Sequence, residues 1–323
     1  MFIDSFKQHF ESVADPRQSA KVTYPFFDIL FGSLCAVIAG AHGWFDIREY
    51  LLGHHKWFLE LGMFKAGIPA DDTIARTISA IKPEQFQACF LKWMAAVHTL
   101  TQGELIAIDG KTLRGSYNRE DRSSTIHMIS AYATANKLVL GQLKTDKKSN
   151  EITAIPELLQ LLDLQGALVS IDAMACQTKI AKTIIEQKGD YLLAVKGNQG
   201  NLSKAVQQAF SALRNDASSL EALQTEKQHG RIESRLCQVL DASTLEGNFS
   251  RWKGLKTLAM ITSFRTEKGK PVSMEYRYYI SSRIMSAEQV ASAVREHWAI
   301  ESMHWVLDVS MQEDACQIYK DHA

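Results

Sequence analysis

Two short apolar stretches of the chain each end on an aspartate, and this repeated pattern limits how the chain can fold. The stretch "LIAIDG" covers residues 105–110, and "ALVSIDA" covers residues 167–173. Both are typical of buried β-strands. A carboxylate at the end of a buried strand is costly unless a cation meets it. The pattern therefore predicts that Asp109 and Asp172 come together to hold something positively charged.

The order of predicted elements after residue 104 is strand, hairpin, helix, strand, helix, strand. Strand–helix–strand alternation indicates parallel neighbours, and "IHMISAYAT" with "KLVLGQLKT" indicates an antiparallel hairpin turning at residues 135–136. We therefore expect an α/β fold with a mixed sheet, in which the Asp109 strand lies beside the Asp172 strand. Residues 1–100 are expected to be helical. The apolar run "ILFGSLCAVIAGA" is shorter than the roughly 20 residues of a membrane span, so a buried helix and no membrane association are expected.

A third acid lies in "SAEQVASAVREHWAIESMHWVLDVS", residues 286–310, which predicts one long helix with a capping box at Ser286 and Gln289. Glu301 shares a helix face with histidines and tryptophans, which is unlike a core stripe. With the two aspartates it would suit two Mg²⁺ ions. A competing interpretation is a zinc site of His297, Glu301 and His304. A third is that the aspartates cap turns and Glu301 pairs with Arg295.

Charge is balanced overall but unevenly distributed. The 323 residues contain 36 Lys plus Arg and 36 Asp plus Glu, which argues mildly against a dedicated nucleic-acid binder. Residues 251–283, however, hold eight basic and two acidic residues. One interpretation is a solvated surface; the other is a contact surface for the phosphates of a nucleic acid. We expect this stretch to be β-rich and to lie outside the sheet. The five dispersed cysteines indicate reduced thiols.

Seven stretches together resemble the ISAs1 family of transposases, which includes the H-repeat-associated proteins, within the wider IS4-like DDE transposases. They run in order along nearly the whole chain: "DPR" (15–17), "GIPADDTIAR" (67–76), "IAIDGKTLRGS" (106–116), "VSIDAMACQ" (169–177), "YLLAVKGNQ" (191–199), "HGRIESR" (229–235) and "HWAIESMHWVLDVSMQED" (297–314).

The resemblance implies an RNase H-like core and a catalytic, metal-binding triad of Asp109, Asp172 and Glu301. The implied organisation is a helical N-terminal region (1–100), the first part of the core (101–199), a β-rich insertion (200–284), and the catalytic helix with a truncated end (285–323). Two Mg²⁺ ions are expected, with Mn²⁺ as a substitute. Gly110 is expected to allow close approach of backbone or DNA. The expected DNA contacts are Lys111, Arg114, Lys196, Asn198, Arg231, Arg295 and Trp298.

The function implied is metal-dependent cleavage and strand transfer of an insertion sequence by a bacterial, cytoplasmic, nucleoid-associated enzyme. Its partner would be double-stranded DNA, both element ends and target, bound by a homodimer. The alternatives are an inactive, truncated DNA-binding relic and a plain RNase H-like nuclease. Family members usually carry a lysine one to two turns after the glutamate; Asp308 occupies that region here. Relatives usually extend beyond residue 323, so a shortened copy is expected.

Overall fold

Nine strands of the described chain form one sheet in the order β3-β2-β1-β4-β5-β9-β8-β7-β6. The computed structural model describes residues 2–98, 103–116, 125–145, 151–213, 220–228, 231–267 and 271–315. The strands are β1 Leu105–Thr112, β2 His127–Ala133, β3 Leu138–Thr145, β4 Leu168–Ile171, β5 Asp190–Val195, β6 Leu220–Gln228, β7 Arg231–Asp241, β8 Thr257–Glu267 and β9 Ser273–Ser281.

The centre of the sheet is parallel, as the alternating pattern predicts. Strand β4 pairs in parallel with β1 on one side and with β5 on the other. Strands β2 and β3 form the predicted antiparallel hairpin at the edge. This confirms the predicted mixed sheet of an α/β fold and the prediction that the Asp109 strand lies beside the Asp172 strand.

The expectation that the basic stretch 251–283 lies outside the sheet is wrong. Its two strands, β8 and β9, are β-rich as predicted, but they belong to the same sheet. The extension begins where β9 pairs antiparallel with β5, from Leu192↔Ser281 to Val195↔Tyr278. The open edge of β5 offered unpaired backbone groups, and β9 satisfies them. Strands β8, β7 and β6 then continue the sheet by antiparallel pairing.

Helices cover the sheet and bury its apolar side chains. Strand residues such as Ile106, Ile108, Val169 and Leu193 share a buried cluster with residues of α7, α8 and α9. The predicted capping box at Ser286 and Gln289 is present. The helices of this part are α7 Glu151–Gln160, α8 Thr178–Glu186, α9 Gly200–Leu213, α10 Ala287–His297 and α11 Ala299–Val309.

By internal contacts the chain divides into two units: Met1–Val97 with Thr112–Ile126 and Met303–Ala323, and His98–Lys111 with His127–Ser302. The N-terminal helices bury an aromatic cluster in which Phe6 stacks on Phe10 at 4.3 Å. No helix among the described residues is long and apolar enough to span a membrane. The N-terminal helices are α1 Phe2–Phe10, α2 Phe26–Ile38, α3 Trp44–Gly53, α4 His55–Glu60, α5 Asp71–Ser79 and α6 Pro83–Val97.

Candidate active site

Asp109 and Asp172 occupy equivalent positions on neighbouring parallel strands. The last pair between β1 and β4 is Ile108↔Ile171. Asp109 is the next residue within β1, and Asp172 directly follows the end of β4. Neighbouring strands lie about 4.8 Å apart, so the two backbones are close where the carboxylates begin. Asp172 Oδ1 accepts a hydrogen bond from the Met174 backbone N–H at 3.1 Å, which fixes the Asp172 side chain at the carboxyl end of β4.

Glu301 lies in the first turn of α11 and is exposed. The prediction of one long helix is wrong, because a single turn residue, Trp298, separates α10 from α11. The break is one residue long, so periodicity in the sequence does not show it. It does separate His297 on α10 from Glu301 and His304 on α11, and it thereby removes the single-helix spacing on which the zinc interpretation relied.

Carboxylates crowd around Asp109. Burial is the largest cause that raises the pKa of Asp109 from 3.8 to about 6, and the Gly110 backbone N–H, which hydrogen-bonds to it, opposes this. The negative charges of Asp172, Glu151 and Glu301 raise the pKa of Asp109 further. Like charges gathered in this way favour either a proton or a cation between them.

The donor set suits a hard divalent cation, since all its members are carboxylates. In the part of the chain that the structure describes, no three Asp, Glu, His or Cys side chains are grouped closely enough to hold one ion. The carboxylates are nevertheless near enough for Asp172 and Glu301 to act on the charge of Asp109.

His127 and Glu151 are two residues of this region that sequence reasoning missed. Glu151 Oε1 accepts a short hydrogen bond from His127 Nε2, and both side chains are buried. The pair occupies the space beside Gly110: an added Cβ there would lie 2.6 Å from His127 Nε2. The expected close approach at Gly110 is therefore present, but these two side chains make it. The only sequence signal was a glycine directly after the aspartate.

His297 is held inside the fold. Its Nδ1 lies 2.8 Å from Ser170 Oγ on β4. Burial lowers the pKa of His297, and the charge of Asp172 partly opposes this. A neutral imidazole bonded to β4 attaches the end of α10 to the strand that carries Asp172.

The predicted DNA-contacting residues lie in different surroundings. Lys111 is buried, whereas Lys196 is exposed and follows directly after β5. Because β5 pairs in parallel with β4, Lys196 and Asp172 both lie at the carboxyl ends of these strands. The Asn198 amide donates to the Ala173 carbonyl at 2.6 Å and so holds the loop that follows Asp172. Arg114, in the other unit, is exposed and lies 3.7 Å from Asp314. Arg231 begins β7; its side chain lies outside the described residues.

Arg295 and Trp298 line a cavity of about 720 Å³ on the β-rich extension. Arg295 makes a 2.8 Å ion pair with Glu226, and the Arg277 guanidinium lies 5.5 Å from the centroid of the Trp298 ring. Trp298 is 46% exposed. Four arginines line this cavity: Arg235, Arg265, Arg277 and Arg295.

Two family models match the chain. Residues 100–323 match the model "Transposase DDE domain", and residues 7–94 match the model "DDE_Tnp_1-associated". The chain belongs to the DDE transposase family. It is 47% identical to the "H repeat-associated putative transposase YhhI" of Escherichia coli (strain K12) over 100% of this chain and 87% of that protein. It is 48% identical to the "Putative transposase YncI" of Escherichia coli O157:H7 over 100% of this chain and 84% of that protein.

Among solved structures, the transposase matches the piggyBac transposase synaptic complex with hairpin DNA at a TM-score of 0.44 and 12% identity, over 98% of this chain and 69% of that chain. Membership of the family confirms the IS4-like DDE resemblance, and with it DNA as the partner of this transposase and a divalent metal as its cofactor. Together the two family models match nearly all of this chain.

Proposed function

We propose that this transposase is catalytically active and that Asp109, Asp172 and Glu301 hold two Mg²⁺ ions, which Mn²⁺ can replace. The observation that supports this is the placement of the two aspartates at matching positions of neighbouring parallel strands, with the charges of Asp172 and Glu301 acting on a buried Asp109. Two ions shared in this way activate the attacking oxygen and stabilise the leaving oxygen of a phosphodiester.

The reaction proposed has two steps. In the first, a water oxygen bonds to phosphorus at the element end while the bond from phosphorus to the 3′ oxygen breaks, and that oxygen takes a proton to become a 3′-OH. In the second, this 3′-OH attacks a phosphorus of target DNA, displaces the target's own 3′ oxygen and loses its proton. One phosphodiester bond replaces another, so the joining step needs no energy-rich co-reactant.

The roles of the protein are to position phosphate and to keep the acids in place. Lys196 is exposed at the carboxyl end of β5, next to the end of β4 that Asp172 follows, where Lys196 can bind a phosphate. We propose phosphate contacts also for Lys111, Arg114, Arg231 and Arg295, and DNA contact for Trp298 and Asn198. Segment 200–284 is interpreted as an insertion that extends the core sheet. We further propose a homodimer assembled on DNA at the bacterial nucleoid.

The test is an assay with a labelled duplex that carries the terminal inverted repeat of the element, a plasmid target and Mg²⁺. We expect nicks at the element end that leave a 3′-OH, followed by joined products, and Asp109→Asn should bind the duplex without cutting it. Binding without any Mg²⁺-dependent nick would indicate an inactive relic. Nicks without joined products would indicate a plain nuclease. Sedimentation with and without the duplex tests the dimer.

A further inference from the structure

The backbone at Gly110 lies close to a buried pair of ionisable side chains. An added Cβ at Gly110 would lie 2.6 Å from His127 Nε2 and 2.9 Å from Glu151 Cδ, closer than real Cβ contacts come. His127 comes from β2, the strand next to β1, and Glu151 is the first residue of α7. Two different elements therefore meet at the one residue that follows Asp109.

Removing these two ionisable side chains from water costs free energy. His127 is 2% exposed and Glu151 is 5% exposed. Replacing a buried ion pair with packed apolar side chains is often neutral or stabilising, so stability alone gives little reason for such a pair. Glu151 is also close enough for its charge to act on Asp109. These observations point to a role at the acidic site.

We propose that His127 and Glu151 are positioning residues for Asp109, needed for divalent-cation binding in addition to folding. His127 orients the Glu151 carboxylate through their hydrogen bond, and the pair fixes the backbone at Gly110. Glu151 also places a negative charge behind the cation-binding carboxylates. This inference rests on the proposed metal site. Partners that orient metal ligands typically contribute about 10–100-fold to metal affinity.

The experiment measures Mn²⁺ binding to the whole chain without DNA, by the electron paramagnetic resonance signal of free Mn²⁺. Glu151→Gln keeps the shape and an acceptor oxygen but removes the charge, so its Kd for Mn²⁺ should rise about 10–100-fold. His127→Gln keeps an N–H donor and should lose less affinity than His127→Leu. Gly110→Ala should resemble Glu151→Gln, because its Cβ displaces the pair.

The chain offers a matched control at the opposite end of β1. There His98 Nε2 lies 2.9 Å from Glu104 Oε2; Glu104 is buried and His98 is partly buried. Glu104 also accepts a hydrogen bond from the Asn136 side chain. Glu104→Gln alters an equivalent pair far along the strand from Asp109. We expect similar losses in the urea midpoint for Glu104→Gln and Glu151→Gln, but an altered Kd for Mn²⁺ only for Glu151→Gln.

Unchanged Mn²⁺ affinity in folded Glu151→Gln would overturn the inference and leave the pair a purely structural one. If Glu151→Gln does not fold, folded His127→Gln and His127→Leu decide by the same criterion: equal, wild-type affinity overturns the inference. Wild-type protein that binds no Mn²⁺ would instead refute the proposed metal site, and the inference with it. Wild-type binding with loss confined to the Gly110, His127 and Glu151 variants would support both.

Discussion

Replacing Asp109 with asparagine should make the metal-free protein more stable while it abolishes cleavage. In the folded chain the pKa of Asp109 is raised from 3.8 to about 6, chiefly by burial and then by neighbouring carboxylates. Such a group stabilises the fold when it is protonated, and that contribution is lost as the pH rises through the window from 3.8 to about 6. At pH 7 the ionised Asp109 therefore opposes folding.

The free-energy cost of the ionised Asp109 follows from the difference between its pKa values in the unfolded and folded states. Since one pKa unit corresponds to about 1.4 kcal/mol, raising the pKa from 3.8 to about 6 costs at most about 3 kcal/mol at pH 7. The amide of Asp109→Asn carries no charge and avoids this cost. We expect the variant to be about 1–3 kcal/mol more stable than the wild type at pH 7. The difference should shrink as the pH falls toward 4, because wild-type Asp109 is then protonated in the folded state.

The assay is urea unfolding in EDTA at several values of pH between 4 and 7, with both proteins at the same concentration. In a second series without EDTA, free Mn²⁺ at 100 times its Kd should stabilise the wild type by about 2.7 kcal/mol and the variant by much less. A variant that is less stable than the wild type at pH 7 in EDTA would refute the reasoning. So would a stability difference that does not change with pH.

Three further predictions concern the proposed chemistry and DNA contacts. Glu301→Gln should fold and bind element-end DNA but cleave several orders of magnitude more slowly; near wild-type nicking, measured beside a gel shift, would exclude Glu301 from the metal site. Arg295→Ala should flatten the salt dependence of DNA binding by about 0.9 in log–log slope, and Glu226→Gln, which frees Arg295 from its 2.8 Å ion pair, should tighten binding; unchanged slopes would contradict the contact. Asn198→Ala removes both the bond to the Ala173 carbonyl and the proposed DNA contact, so kcat should fall and the KM for DNA should rise, whereas an unchanged KM would exclude Asn198 from the DNA contacts.

Local patterns were sufficient to predict the centre of the sheet. The strand–helix–strand alternation, with the Ile-Asp ends, correctly placed the strand of Asp109 beside that of Asp172. The capping box at Ser286 was also predictable, because it depends on residues three positions apart. These features arise from interactions within one or two neighbouring elements.

Long-range contacts were not predictable in the same way. The pairing of Leu192 with Ser281 joins strands that are distant in sequence. The sequence of β9 does not indicate which strand it will pair with. The His127–Glu151 pair is equally hidden, because a histidine in a strand and a glutamate at a helix start form no spacing motif. Only Gly110 signalled that something approaches β1 closely, and it did not show what.

The sheet extension has a structural consequence for the third acid. Asp190 at the start of β5 accepts hydrogen bonds from Ser282 Oγ at 2.8 Å and from Arg283 Nε at 3.0 Å, just where β9 ends. Helix α10 begins four residues later, at Ala287, and His297 at its end is bonded to β4 through Ser170. The helix that precedes Glu301 is therefore attached to the sheet at both ends. Because β5 and β4 are the strands that hold it, a stretch that looks like an insertion in the sequence becomes part of the framework that sets Glu301 relative to the two aspartates.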